Sequence, residues 1–378
     1  MYKQYYSKFL KANEGKQHYA AHSHHYWPDV TFDAMVEYWN DSARLVDDKW
    51  AYILGTKVPD TQKMIAEVLN FSCPKNICFA SNTHELLIRL ISTFQNKKIK
   101  VLTTDSEFYS FSRQARRLNE LNLIDLTIIP TAPYDNFTER FTAEIKKNDF
   151  DLVFFSQVFF NSGIVVENIE SIVESVTNEN TLIVIDGYHG FMAVPTDLSR
   201  IEDRVFYISG SYKYAQGGEG CCFMTIPRDC KIQPAITGWY AGFQDLQNNT
   251  DKVSFSNDGY RFAGSTLDYT ALYRLQAVLK LYKDHHMTVG ETHTYVQMLQ
   301  RKFIKQIEEL NHPYLNLKYL LMLDENNHGH FLAFKMPSVE ICDLVKQELL
   351  DKKIITDSRG NILRFGFAIY QNEKINLA

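Results

Sequence analysis

The stretch Val205-Phe-Tyr-Ile-Ser-Gly-Ser-Tyr-Lys-Tyr-Ala-Gln-Gly-Gly-Glu-Gly220 decides how this chain is read. Four apolar or aromatic residues, Val205 to Ile208, predict a short buried strand. A turn of small residues follows and presents one lysine, Lys213, at the strand's carboxyl end. Gly217, Gly218 and Gly220 then let the backbone pass close to another group. A second strand end lies upstream in Leu182-Ile-Val-Ile-Asp-Gly-Tyr-His189. There a buried strand closes on an acid, Asp186, and a histidine, His189. In open α/β sheets, ligands gather at the carboxyl ends of the strands.

An acid, a histidine and a lysine at such ends point to pyridoxal phosphate. A lysine amine can hold that aldehyde as a Schiff base. An aspartate can keep its ring nitrogen protonated, so that the ring accepts electrons.

The surrounding chain fits this reading. Its 378 residues are 45% hydrophobic and 22% charged, an ordinary globular composition with room for two packed domains. The net charge of −5 gives no basic field for nucleic acid. No apolar run approaches the roughly 20 residues of a membrane span, and Met1-Tyr-Lys-Gln-Tyr-Tyr6 holds no apolar signal core. A soluble cytoplasmic protein, with neither nucleic acid nor membrane as partner, is expected. The cysteines Cys73, Cys78, Cys221, Cys222, Cys230 and Cys342 form no C-x-x-C pair, and reduced, mostly buried thiols are expected.

From Lys57 onward the pattern alternates between helix and strand. A helix is predicted at 60–69, and strands at 77–80, 100–104, 126–129, 152–155, 182–185, 205–208 and 221–226. Such alternation predicts an α/β fold, a mainly parallel seven-stranded sheet with helices on both faces. The connection between the last two strands is too short for a crossover helix, so they are expected to run antiparallel. Asn82, with Glu85 three residues on, marks a helix start after the first strand, and free backbone N–H groups there can cradle a phosphate. Beyond residue 250 the pattern changes. Helices at 265–283, 292–310 and 338–350 and strands at 331–335, 353–356 and 362–367 predict a small α+β C-terminal domain. The expected organisation is an N-terminal arm or lid over 1–50, with a helix at 33–50, a large cofactor-binding domain over 51–260, and the long helix and small domain over 261–378. No G-x-G-x-x-G follows the first strand, which argues against a dinucleotide fold.

The segment Ala21-His-Ser-His-His-Tyr-Trp-Pro-Asp29 holds three histidines. A metal site needs three or four ligands; none is expected. A substrate-facing lid and plain loop packing both remain open for this segment.

Asp186-Gly-Tyr-His189 followed by Ser211-Tyr-Lys-Tyr214 resembles the class V aminotransferase superfamily of fold-type-I pyridoxal-phosphate enzymes. Within it, Glu107-Phe108, Ser156-Gln-Val-Phe-Phe-Asn-Ser-Gly163, Gly238-Trp239, Gly259-Tyr-Arg-Phe262 and Leu363-Arg-Phe-Gly-Phe-Ala-Ile-Tyr370 look most like kynureninase. The resemblance implies that Lys213 is the Schiff-base lysine, that Asp186 pairs with the ring nitrogen, and that His189 sits near the ring oxygen or the phosphate. It implies that Phe108 stacks on the ring, that Asn82, Thr83 and Tyr212 hold the phosphate, and that Ser156 also faces the cofactor. Trp239, Ser265 and Thr266 would reach the cofactor of a neighbouring copy in a homodimer. Arg364 would grip the substrate's α-carboxylate, where a guanidinium fork suits a carboxylate, with Ser23 and His24 also facing substrate. The activity implied is hydrolytic Cβ–Cγ cleavage of a kynurenine-type amino acid, with amino transfer to a keto acid as the alternative. The family's substrate-reading asparagine falls on Gly264, a departure from the pattern. Two further readings carry less weight. A cysteine desulfurase needs a nucleophilic cysteine on a mobile loop, whereas Cys342 falls in a predicted helix. A non-catalytic cofactor binder would need an attached effector domain.

Overall fold

The computed structural model describes residues 2–94, 97–246, 252–375 and 377. Its centre is a seven-stranded sheet of β1 (Ile77–Ala80), β2 (Ile99–Thr104), β3 (Ile124–Ile129), β4 (Leu152–Ser156), β5 (Leu182–Asp186), β6 (Val205–Gly210) and β7 (Cys222–Thr225). The spatial order is β1-β7-β6-β5-β4-β2-β3. Neighbours from β6 to β3 are parallel, and β7 runs antiparallel to both β6 and β1. The expected sheet, including its one reversed strand, is therefore present.

Sequence alternation fixes the two faces. Val153, Phe155, Ile183, Ile185, Val205 and Tyr207 join one apolar cluster, and Leu152, Phe154, Leu182, Val184, Phe206 and Ile208 join another. A strand buried on both faces reads as a continuous apolar run, which is why these segments were legible. Helices α1 (Val30–Leu45), α2 (Val58–Leu69), α3 (Thr83–Ile91) and α4 (Tyr109–Glu120) precede or connect the first strands. The predicted helix at 33–50 ends earlier, because Val46 adopts φ 51°.

The later chain supplies α5 (Thr270–Asp284), α6 (Val289–Leu310) and α7 (Val339–Asp351). Helix α5 starts five residues later than predicted. The Asp268 carboxylate accepts from the Thr270 N–H at 2.9 Å and sets the start there. Four strands, β8 (Leu320–Leu321), β9 (Phe331–Lys335), β10 (Asp357–Arg359) and β11 (Ile362–Gly366), form an antiparallel sheet in the order β10-β11-β9-β8. The predicted strand at 353–356 shrinks to Ile354–Ile355, which pairs in parallel with Gln17–His18. Ala20 bridges to Gly366. A Cβ on Gly366 would lie 2.4 Å from His22 Nδ1, so only glycine admits the histidine there. The N-terminal residues are thereby tied to the small sheet.

No helix among the described residues is long and apolar enough to cross a membrane.

Candidate active site

The carboxyl ends of β1, β2, β4, β5 and β6 converge on a cavity of about 210 Å³. Its lining includes Asn82, Thr83, Phe108, Ser156, Asp186, His189, Tyr212 and Lys213. Eight residues picked from scattered stretches of sequence thus share one space.

Lys213 is buried, and its Nζ lies 2.7 Å from His189 Nε2. The amine sits over the rings of Phe108, at 5.4 Å, and Tyr188, at 5.2 Å. Burial pushes its pKa down to about 7, with the nearby Asp186 charge opposing. Desolvation penalises the charged form, which is what an amine must lose to act as a nucleophile or base. Burial, with Lys213 adding to it, likewise drives His189 well below the ordinary imidazole value. At neutral pH this histidine is uncharged. Asp186 closes β5 and accepts from the Tyr188 N–H at 2.8 Å. Burial raises its pKa, against the Tyr188 hydrogen bond and the Lys213 charge.

At the other side of the cavity Asn82 caps α3, its Oδ1 accepting from the Glu85 N–H at 3.0 Å. The first N–H groups of α3 carry no intrahelical partner and face a natural anion position. Ser156 and Tyr212 line the cavity but have other partners. The Ser156 hydroxyl donates to Glu107 Oε2 at 2.5 Å, and Tyr212 Oη lies 2.9 Å from His24 Nε2. Glu107, in the Glu107-Phe108 pair, carried no expected role of its own. Its buried carboxyl also receives the Thr104 hydroxyl at 2.5 Å, and burial pushes its pKa up to about 8.

Other expected residues lie elsewhere. Trp239 is 41% exposed, Ser265 and Thr266 are exposed, and none of the three lines the cavity of its own chain. Ser23 is half-buried in a turn, its N–H donating to Ala20 at 2.9 Å. The three clustered histidines go three ways. His22 stacks on Phe331, His24 meets Tyr212, and His25 Nδ1 approaches the Tyr26 carbonyl at 2.6 Å.

Arg364 is fully buried, stacked over Phe160 at 4.8 Å and Phe331 at 5.8 Å. Its Nη1 donates to the Phe160 carbonyl at 3.2 Å, and its Nη2 to Asp357. Phe160 also lines the cavity, so the guanidinium stands one ring away from it. An expected free guanidinium is instead held by an acid of its own chain.

The cavity suits the cofactor expected from the sequence. A neutral-leaning buried amine, a strand-end carboxylate, an open helix start and the Phe108 ring match its aldehyde, ring nitrogen, phosphate and ring face. Lys213, Asp186, His189, Phe108, Asn82 and Thr83 are the residues that would hold it.

A family model described as Aminotransferase class-V matches residues 20–363. No curated protein matched the sequence. Among solved structures, a C-DES mutant with glycine covalently linked to its PLP cofactor is similar at TM-score 0.79 and 18% identity, covering 96% of this chain and 94% of that one. The cystine C-S lyase C-DES in complex with its product cysteine persulfide is similar at 0.78 and 18%, covering 96% and 95%. The apo cysteine desulfurase from Thermococcus onnurineus NA1 is similar at 0.78 and 17%, covering 94% and 91%. At these identities the likeness establishes the fold, that of fold-type-I pyridoxal-phosphate enzymes.

These neighbours overturn the expected kynurenine hydrolysis and its amino-transfer alternative, because the enzymes so described work on cystine or cysteine. At position 264 a Cβ would lie 2.1 Å from Arg89 Nη2, so the amide expected to read an aryl ketone is replaced by a glycine with the Arg89 guanidinium packed over it.

Proposed function

The chain belongs to the class-V aminotransferase family, and from that premise we propose that it is a lyase breaking the carbon–sulfur bond of a cysteine-type amino acid. Its cofactor is pyridoxal phosphate, which when bound draws in the electron pair left at the substrate's Cα. Lys213 would hold the cofactor, and its amine would take the substrate's Cα proton. A pKa near 7 gives it the right protonation state for both tasks at neutral pH. His189 keeps the amine in place through its 2.7 Å contact. Asp186 would hold a proton at the ring nitrogen, and Arg364 would receive the substrate's α-carboxylate. Phe160 and Tyr188 would keep water from the reacting carbons.

The carbon–sulfur reading is supported by the lyase and desulfurase named among similar folds. Two of the six cysteines, one at the cavity and one in the small domain, support elimination over sulfur transfer to a protein thiol. Cys222 lines the cavity, but it is buried 3.4 Å from the Tyr188 hydroxyl, and burial pushes its thiol up to about 12. Cys342 is buried inside α7 with its thiol pushed up to about 11, again by burial. A sulfur acceptor needs an accessible thiolate, and neither thiol provides one.

A homodimer belongs to the same reading. Ile236, Trp239, Phe243 and Leu246 are 53%, 41%, 45% and 54% exposed along one short stretch. An apolar patch of this kind suits a subunit interface, through which Trp239, Ser265 and Thr266 would reach a second copy's cavity. A cytoplasmic location is supported by six free cysteines.

To test the function, holoenzyme is incubated with cystine, cysteine and S-methyl-L-cysteine. Pyruvate, ammonia and the sulfur product are expected in equal amounts, and Cys222→Ser and Cys342→Ser should both retain the activity. Alanine, accompanied by a persulfide on the protein, would overturn elimination in favour of a thiol relay.

A further inference from the structure

Two guanidiniums and one carboxylate meet beside the cavity. Strands β10 and β11 form a hairpin in which Asp357 stands opposite Arg364. Arg359, two residues from Asp357 and hence on the same face, donates to Asp357 Oδ1 at 2.7 Å. Arg364 Nη2 donates to the other oxygen, Oδ2. His22 Nε2 lies 3.4 Å from that same oxygen. Burial pushes His22 down to about 3, so it adds no charge at neutral pH. The cluster is therefore Arg359 plus Arg364 against Asp357, with one positive charge left over.

The left-over charge has a direction. Arg364 Nε is buried and has no hydrogen-bond partner among the described residues. A buried donor without a partner is costly in a finished structure, and it points to a ligand acceptor at that edge of the fork. The other two nitrogens of the Arg364 fork already have the Phe160 carbonyl and the Asp357 carboxylate as partners, and Arg359 Nη1 has Asp357 and the Ser358 carbonyl. At the cavity itself Lys213 faces Asp186, and Glu219 stands exposed on the lining. A second substrate carboxylate would find no unspent cation there, and one acid to repel it.

We infer that Asp357 is a specificity-determining residue: by consuming one of two guanidinium charges it tunes the site to amino acids with a single carboxylate and excludes dicarboxylates. This rests on the reading of Arg364 as the carboxylate receptor. Selectivity of this kind works by withholding a partner from the wrong ligand as much as by offering one to the right ligand. The charge count also explains why a residue so close to the receptor is an acid. An amide there would leave two positive charges, and a diacid would satisfy both.

The probes are S-methyl-L-cysteine and S-carboxymethyl-L-cysteine, which differ by one carboxylate. Each is titrated into holoenzyme, and Kd is read from the change in the cofactor's visible absorption. Wild type should bind the S-methyl compound more tightly. In Asp357→Asn the ratio of the two Kd values should move toward the S-carboxymethyl compound by about tenfold or more, the size of one uncompensated charge contact in a partly buried site. Asp357→Glu should keep the wild-type order. Arg359→Gln should move the ratio the opposite way, and it serves as the test if Asp357→Asn does not fold. An unchanged ratio in a folded Asp357→Asn, with both compounds still bound, would overturn the selector role alone. If neither compound perturbs wild-type absorption, the amino-acid reading itself fails, and this inference fails with it.

Discussion

Around the amine of Lys213, buried ionisable groups stand without opposite charges in hydrogen-bond contact. Around the guanidinium of Arg364, behind the Phe160 ring that lines the same cavity, they are paired within the chain. Lys213 touches a neutral histidine, Asp186 accepts a backbone N–H, and Glu107 meets two hydroxyls. Arg364 and Arg359, by contrast, share the Asp357 carboxylate, which His22 and Arg364 hold well below the usual carboxylate range despite its burial. Burial alone pushes groups toward neutrality, and pairing holds them ionised. The contrast teaches where the chain leaves work for a ligand. The first region becomes charge-complete when a phosphorylated pyridine arrives. The second is already nearly balanced and has only one charge to offer.

The sharpest break of this comparison comes at the unpaired end. Lys213→Ala should abolish covalent attachment of the cofactor and lower kcat by roughly 10³-fold or more, if the proposed double role of tether and base holds. The loss is checked by the visible absorption band and by single-turnover rates. Without cofactor, the same residue leaves a pH signature. Its amine falls from the model-peptide value of 10.5 to about 7 in the folded chain. Between those values the unfolded chain binds the proton that the folded chain has shed, so stability rises with pH across that window. Melting curves of apo wild type should show the rise, and Lys213→Met should lack it. Next in size, Asp186→Asn should leave the lysine attached but weaken cofactor retention by about 100-fold, the cost of losing a charge-assisted contact at the ring nitrogen. Dialysis followed by absorption measures it.

The paired end should respond differently. Arg364→Met should destabilise the fold by about 3 kcal/mol, because removing one partner leaves a buried carboxylate short of its counter-charge. It should also raise KM for amino acids while the cofactor band stays unchanged. The double variant Arg364→Met with Asp357→Leu should recover most of the stability and none of the KM. Equal melting temperatures for single and double variants would show that the pair is not balanced in the way described.

The sheet was legible because its strands are short, apolar on both faces and separated by patterns of helical period. Lys213, Asp186 and Asn82 were legible for a related reason: each follows directly on such a strand, and the sheet then gathers strand ends in one place. Partners were harder to read. The bond between Asp357 and Arg364 depends on strand register, which a periodic pattern does not fix. A signal did exist, since Gly360-Asn361 is a two-residue hairpin loop that sets Arg359 opposite Ile362 and hence Asp357 opposite Arg364. The glycine at 264 was read as a missing amide. Its physical meaning, contact with Arg89, needed the tertiary fold. The contribution of Gln17–His18 to a sheet at the far end of the chain left no trace in a two-residue segment. Chemistry was the least legible part, because the same lysine and aspartate serve every reaction of the fold.

The comparison is drawn most finely at Glu107, which has features of both regions. Three donors surround its carboxyl, the Ser156 and Thr104 hydroxyls and the Ser156 N–H, as a paired carboxylate would have. Yet burial pushes its pKa from 4.5 up to about 8, as at the unpaired end. Above pH 4.5 the unfolded chain releases a proton that the folded chain keeps. The stability that this provides is present below the unfolded value and is lost as pH rises through about 8. Glu107→Gln is neutral at every pH, so it should match wild type at pH 5 to within about 0.5 kcal/mol. It should then become the more stable protein above pH 8. Hydroxyl hydrogens can rotate to serve either a protonated acid or an amide, which is why the substitution is tolerated. A variant less stable than wild type at every pH would mean that the three donors outweigh burial. Glu107 would then be an ionised carboxylate held by its own chain, like Asp357, and the boundary between the two regions would run through Ser156.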